Sequence, residues 1–523
     1  MAQPVDGLIV KFKNAPTHER MAALSASVRS AETERLHRVL QAARMTEVRS
    51  RPAGRAAQHF SFGRQLPPAE AQAMAERLRS QPDVEWVELN ARERLLQAAP
   101  VPNDLYFPFV SGADPGQWWL RPPGETAGGL APSYGAPGVQ NAWSLELGRT
   151  SAVVAVLDTG ITTHPDLIGR TLTGYDFVSE TVYANDGNGR DGDPSDPGDW
   201  VSALDVANEP VLYQDCLIQD SSWHGTIISG MVAASTNNSI GVAGINWNGR
   251  VLPVRVAGKC GATVADIVDG MRWAAGLAVA GAPLNANPAR IINISFGGSA
   301  PCGNLYQDTI DELASHGAVV VAAAGNEQTT PTRPASCAGV VGVAALARDG
   351  IKAGYSNFGA RVVISTLGGD PDIDDGLLTV FNTGLESPDT ASYGRMFGTS
   401  FSAPIVSGAI SLMLSANPRL SVPQIIGGLQ TTARPHVQAG NLPFCSANDT
   451  GACVCTTSTC GAGVLDAEAA VRFAIGAPLD AGPPADSGGG ALGWAWLTGL
   501  ALAVLVLARA SGPRRARRKR LAE

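Results

Sequence analysis

The feature that most constrains this chain is the stretch Gly398-Thr399-Ser400-Phe401-Ser402-Ala403-Pro404 together with the run behind it. Ile405, Val406, Gly408, Ala409, Ile410, Leu412 and Met413 are too continuously apolar for a surface helix, which carries only an apolar stripe. A helix with so little polar surface belongs inside a large core. The small residues before Ser400 let another backbone come close. Ser400 falls where a helix N-cap would, and most serines at such positions only cap. A helix start also presents free N–H groups and partial positive charge, which stabilise an oxyanion beside a hydroxyl. Ser400 is therefore a candidate nucleophile.

A serine nucleophile needs a base, and the base needs an acid to orient it. Val153-Val154-Ala155-Val156-Leu157-Asp158-Thr159-Gly160 reads as a buried parallel strand with Asp158 at its carboxyl end. That is where sites lie in open α/β sheets. His224-Gly225-Thr226 leads into the small, apolar helix Ile227-Ile228-Ser229-Gly230-Met231-Val232-Ala233-Ala234. Read alone, Asp158 is a turn-former and His224 a hydrogen-bonded core histidine. Acid, base and nucleophile each at the edge of an element, in the order Asp, His, Ser, point instead to nucleophilic catalysis.

These residues resemble the subtilisin-like serine proteases (subtilases), which share that order. Their signatures stand here as Val156 to Gly160, His224-Gly225-Thr226 and Gly398 to Pro404, with a fourth at Ala322-Ala323-Ala324-Gly325-Asn326-Glu327. The likeness covers roughly residues 100–475. It implies an α/β fold, a parallel sheet flanked by helices, preceded by a small α+β propeptide domain. It implies Ser400 as nucleophile, His224 as general base and then acid, Asp158 as its orienter and Asn326 as an oxyanion donor. Ile291 to Gly298 resembles the family's edge strand, which pairs with the substrate backbone. Val319 to Gly325 would floor the S1 pocket. Ser295, Phe296, Gly297 and Gly325 are thus the expected substrate-binding residues. No charge lies at that floor, so large apolar P1 residues are the expectation, and Glu327 would favour a basic one only at the rim.

The same resemblance implies a structural calcium ion. Asp166 and Asn238 would give side-chain oxygens, and Thr236, Ile240 and Val242 carbonyls, close to the six to eight oxygens that calcium takes. A second calcium candidate is the acidic loop holding Asp186, Asp191, Asp193 and Asp196. It departs from the EF-hand pattern and also reads as a surface loop rich in Asx turns. It sits in what looks like an insertion over 179–222, which would also shape the cleft.

Charge divides the chain. Residues 1–98 carry a net +4 and residues 509–523 a net +6, which leaves −18 on residues 99–508. So acidic a part excludes nucleic acid as a partner. All eight cysteines lie in it, without zinc spacing, and favour disulfides in an oxidising compartment. By likeness to extracellular bacterial subtilases, Cys216 pairs with Cys260 and Cys302 with Cys337. A Cys453–Cys455 bond would be strained, so each pairs outside that tripeptide, with Cys445 and Cys460 as the remaining partners.

Residues 1–98 alternate strand and helix patterns: strands over Gly7–Lys13, His59–Phe62 and Val84–Leu89, helices over 17–43 and Pro68–Ser80. This pattern is similar to subtilase propeptides, which assist folding and inhibit the cleft until cleaved. The expected cut lies near Leu96 to Val101, with a mature start near Pro102-Asn103-Asp104. Residues 99–476 form the expected peptidase domain. Residues 477–490 read as a Gly/Pro-rich linker. Residues 491–508 are 18 uncharged residues, enough for one transmembrane helix, and the arginine-rich 509–523 would stay cytoplasmic. Gly488-Gly489-Gly490 before the span resembles GlyGly-type sorting tails, which a rhomboid-like protease removes; a permanent anchor is the plainer reading. No secretion signal is visible in the first residues, so the true start is expected upstream or the signal already removed. The expected product is a secreted or surface-exposed monomeric endopeptidase acting on proteins and peptides. The alternatives are a catalytically silent surface binding protein and an esterase.

Overall fold

In the computed structural model the described residues run from 5 to 476, except 18–19, 22–24, 44, 46–48, 67, 91–98, 108–114, 127–130 and 215. The expected linker, transmembrane span, basic tail and the first half of the expected cleavage stretch lie outside the described residues.

Near the N-terminus, β1 (Val5–Phe12), β2 (Arg49–Ala53), β3 (Ala57–Leu66) and β4 (Val84–Leu89) form an antiparallel sheet in the order β2-β3-β1-β4. Helices Ala26–Ala42 and Pro68–Arg79 accompany it. Alternation along β1 buries Leu8, Val10 and Phe12 with Phe60, Val39 and Leu78. β2 has no apolar alternation, which is why the sequence pattern passes over it.

The second sheet has seven strands. They are β5 (Val154–Asp158), β6 (Tyr175–Asp176), β7 (Val251–Arg255), β8 (Ile291–Ile294), β9 (Val319–Ala323), β10 (Val341–Leu346) and β11 (Val362–Leu367). Their order is β11-β10-β9-β8-β5-β7-β6 and every pairing is parallel. Successive side chains of a strand face opposite ways. Val154 and Val156 enter one core and Ala155 and Leu157 the other; Val319 and Val321 part from Val320 in the same manner. Helices Thr399–Ala416 and His224–Ala233 pack on each other and on the first face, while Val264–Ala274 and Asn304–Ser315 cover the second. Both faces being covered explains why the strands read as continuous apolar runs.

Chain order reverses direction at β5: β6 and β7 lie to one side of it and β8 to β11 to the other. A crevice opens at the carboxyl ends of strands at such a switch point. An antiparallel pair, β12 (Leu377–Asn382) and β13 (Ala391–Met396), precedes the Ser400 helix. Thr399–Ala416 is long and apolar enough by composition to cross a membrane, but it is the buried core helix that its sequence predicts.

The expectation for Ile291 to Gly298 needs correcting. β8 is an interior strand between β5 and β9, with both ladders taken. The segment that can meet a ligand is the one beyond it, from Ser295 onward.

Candidate active site

Five sequence-distant segments meet at the carboxyl ends of β5, β8 and β9. They line one cavity of about 500 Å3 that includes Asp158, His224, Ser295, Phe296, Gly297, Gly325, Asn326 and Ser400. All the expected catalytic and substrate-binding residues are therefore brought together.

Asp158 ends β5 and is buried. Its two oxygens lie 2.8 and 2.9 Å from His224 Nδ1, and Oδ1 also accepts the Thr159 N–H at 2.9 Å. His224 opens its helix beside β5. Gly225 makes that approach possible, because a Cβ there would stand 2.2 Å from the Gly160 carbonyl oxygen. Burial pulls the imidazole pKa down, but the charge and hydrogen bond of Asp158, with Asp199 and Asp196 adding, hold it above its usual 6.5. The proton sits on the nitrogen facing Asp158, so Nε2 is the basic one when the ring is neutral.

Ser400 is the second residue of its helix, not the N-cap. Gly398 takes the cap position at φ 143°, a conformation that suits glycine. Pro404 has no N–H, so the Ser400 carbonyl loses its partner four residues on. The Ser295 hydroxyl replaces it, donating to that carbonyl at 2.8 Å. Ser295 Oγ accepts in turn from Asn293 Nδ2 at 2.9 Å, and Asn293 Oδ1 accepts from Ser407 at 2.8 Å. The Ser400 hydroxyl donates to the Ser295 carbonyl at 2.7 Å; a turn about χ1 would be needed to aim it at His224.

Asn326 follows β9. Its Oδ1 accepts both the N–H and the hydroxyl of Thr399, at 3.0 and 2.9 Å. Both acceptor contacts fix the amide's orientation, leaving Nδ2 for the cleft. The arrangement has what acyl transfer requires: a nucleophile, a base oriented by a buried acid, and donors for a developing oxyanion. Glu327 also lines the cleft, its carboxylate held by Asn357 Nδ2 at 2.6 Å.

The expected calcium residues fall into two groups. Asp166 is buried, and its carboxylate accepts from Asn238 Nδ2, Val242 N–H and the Tyr393 hydroxyl. Thr236, Asn238, Ile240 and Val242 form the loop around it. Asp104, which the sequence reading missed, reaches the same loop through the N–H groups of Asn237 and Asn238. Its only sequence signal is an acid near the expected mature start. Burial raises its pKa, backbone donors oppose this, and Asp166's charge adds to the rise. Two buried carboxylates stand against one loop, met by N–H groups and a hydroxyl, while Asn238 Oδ1 accepts the Ile240 N–H; the carboxylate pair is the part of this arrangement that suits a hard cation.

The acidic loop does not gather. Asp186 pairs with Arg255, which also bonds Asp176. Asp191 and Asp193 close successive turns by accepting the N–H groups of Asp193 and Ser195. Asp196 is buried against the Thr159 hydroxyl, and burial pushes it up to about 7. Among the described residues no three of these carboxylates lie within 4.8 Å of one another.

The disulfides are Cys216–Cys260, Cys302–Cys337, Cys445–Cys453 and Cys455–Cys460. The first ties the segment over 179–222 to the stretch after β7 that lines the cleft.

A family model described as Subtilase family matches residues 149–463. An extracellular protease of Xanthomonas campestris pv. campestris is 38% identical over 479 residues, covering 91% of this chain and 74% of its own length. An extracellular basic protease of Dichelobacter nodosus is 36% identical, over 78% of this chain and 61% of its own length. A solved structure of a Pseudoalteromonas arctica PAMC 21717 protease is 42% identical, covering 65% of this chain and 94% of that one, with a TM-score of 0.58. The chain belongs to the subtilase family of serine-type endopeptidases.

Proposed function

We propose that this chain is an exported endopeptidase that cleaves proteins through an acyl-enzyme on Ser400. The convergence of His224 and Asp158 with Ser400 and Asn326 in one cleft carries this reading. The Ser400 hydroxyl turns from the Ser295 carbonyl to His224 Nε2, loses its proton there and attacks the peptide carbonyl. Asp158 keeps Nδ1 protonated and stabilises the imidazolium. Asn326 Nδ2 and the Ser400 N–H donate to the oxyanion. His224 then protonates the leaving amine, and water releases the acyl group by the reverse sequence. Substrate backbone lies along Ser295, Phe296 and Gly297, across from Gly325. The names of the extracellular relatives support export.

Residues 1–98 act as propeptide, chaperone and inhibitor, and the enzyme processes itself near the start of 99–476. The linker, the span at 491–508 and the basic tail make a membrane-tethered sorting signal for a rhomboid-like protease. Asp166, Asn238, Thr236, Ile240 and Val242, with Asp104, hold a calcium ion that supplies charge neutralisation to the loop and no chemistry to the cleft. The working form is a monomer.

The test compares wild type with Ser400→Ala for self-processing and casein hydrolysis, with calcium present and then chelated. Wild type is expected to lose about the first hundred residues and digest casein. The variant stays full length and inert. Chelation lowers the unfolding temperature. Equal casein digestion by both proteins would sink the assignment of Ser400.

A further inference from the structure

We propose that Asp199 and Asp196, both supplied by the insertion, are positioning residues for the general base. This rests on the reading of His224 as that base. The first N–H groups of a helix have no partner within it and need one from outside. Trp223 occupies the N-cap position of the His224 helix in a left-handed conformation, φ 52°, and offers no side-chain cap. Its indole donates elsewhere, to the Gly384 carbonyl at 2.7 Å.

Two hydroxyls fill the gap. Ser222 Oγ accepts the His224 N–H at 3.3 Å, and Thr159 Oγ1 accepts the Gly225 N–H at 3.1 Å. A hydroxyl has one hydrogen and two lone pairs, so it serves as an acceptor in a fixed direction only when its hydrogen is committed. The insertion commits both. Asp199 Oδ2 accepts the Ser222 hydroxyl at 2.8 Å, and its Oδ1 takes the Ser222 N–H at 2.6 Å. Asp196 Oδ2 accepts the Thr159 hydroxyl at 2.6 Å. Both carboxylates are buried, and Asp199 lines the same cavity as Ser400. Each chain of bonds thus runs from an insertion carboxylate through a hydroxyl to one of the first two N–H groups of the helix that carries the base.

The charged groups that act on the imidazole are Asp158 from β5 and Asp199 from the insertion, of one sign, with Asp196, pushed up to about 7 by burial, joining them once ionised. They favour the imidazolium that forms when the base takes the nucleophile's proton. Removing one negative charge moves the loss of activity on acidification to lower pH. Removing a hydroxyl disturbs placement and leaves the charges in place.

The experiment uses self-processed wild type, Asp199→Asn and Ser222→Ala, with active sites counted by a fluorophosphonate reporter. Peptide anilide hydrolysis is followed across the acid limb, with unfolding temperatures in parallel. Both variants are expected to lose about tenfold in kcat with KM retained, as small misplacement of a catalytic group does. Only Asp199→Asn shifts the acid limb downward. Ser222→Ala keeps both carboxylates, so it tests the relay even where the charge variant fails to fold. An active wild type with both variants unchanged in kcat and pH profile overturns the inference alone. A loss confined to KM reassigns Asp199 to substrate binding and overturns it as well. A folded wild type silent toward peptide overturns the protease reading and this inference with it.

Discussion

Asn326 illustrates how one side chain is given a single job. Thr399 donates twice to its Oδ1, from the main chain and from the hydroxyl. The amide cannot flip without setting two donors against its NH2 group. Asn326→Leu is expected to lower kcat by about 10²–10³-fold, the usual cost of one oxyanion donor. KM should change little, since the interaction forms in the transition state; a large KM change with kcat intact would contradict the role. Asp158, His224, Ser400 and Asn326 were legible because each sits in a local signature that chemistry and close packing restrict. Asp104 and Asp199 were not. Their partners are backbone N–H groups and hydroxyls at Asn237, Asn238 and Ser222, and no local pattern announces a bond across such distances in sequence.

Elements are fitted to one another through the same few atoms. The Ser400 helix was readable as a core helix from its unbroken apolar run. Its true start was not, because the cap is a glycine whose backbone angle does the turning. Pro404 leaves the Ser400 carbonyl to Ser295, so β8 and the helix are joined at the nucleophile itself. Ser295→Ala would leave a buried carbonyl without its partner, a cost of about 1–3 kcal/mol. The expected outcome is a lower midpoint in urea and a lower kcat. An unchanged kcat with the midpoint lowered would confine Ser295 to stability. The acidic loop shows the opposite case. Its spacing invited a metal, but Asx turns satisfy Asp191 and Asp193 locally and Arg255 takes Asp186. Spacing in sequence could not show that a buried arginine from β7 would arrive there.

The whole catalytic part is a parallel sheet between two cores, and that much was visible from its continuous apolar strands. The segment over 179–222 is stapled to the cleft wall by Cys216–Cys260, with a sequence separation of 44. In chain-entropy terms such a loop stabilises by about 4 kcal/mol. Replacing both cysteines by serine should lower the unfolding temperature. It should also reduce kcat/KM more than removing Cys302–Cys337, because only the first bond holds the segment that carries Asp199. Equal losses from the two double variants would separate the staple from the base. The order of the elements has one more consequence. Asp158 ends the first strand of the large sheet, whereas Ser400 opens a helix that follows the last one. A chain emerging from its N-terminus therefore carries acid and base long before it owns a nucleophile. On the roles proposed above, an unfinished chain holds no hydrolytic power until the helix that carries Ser400 has been made.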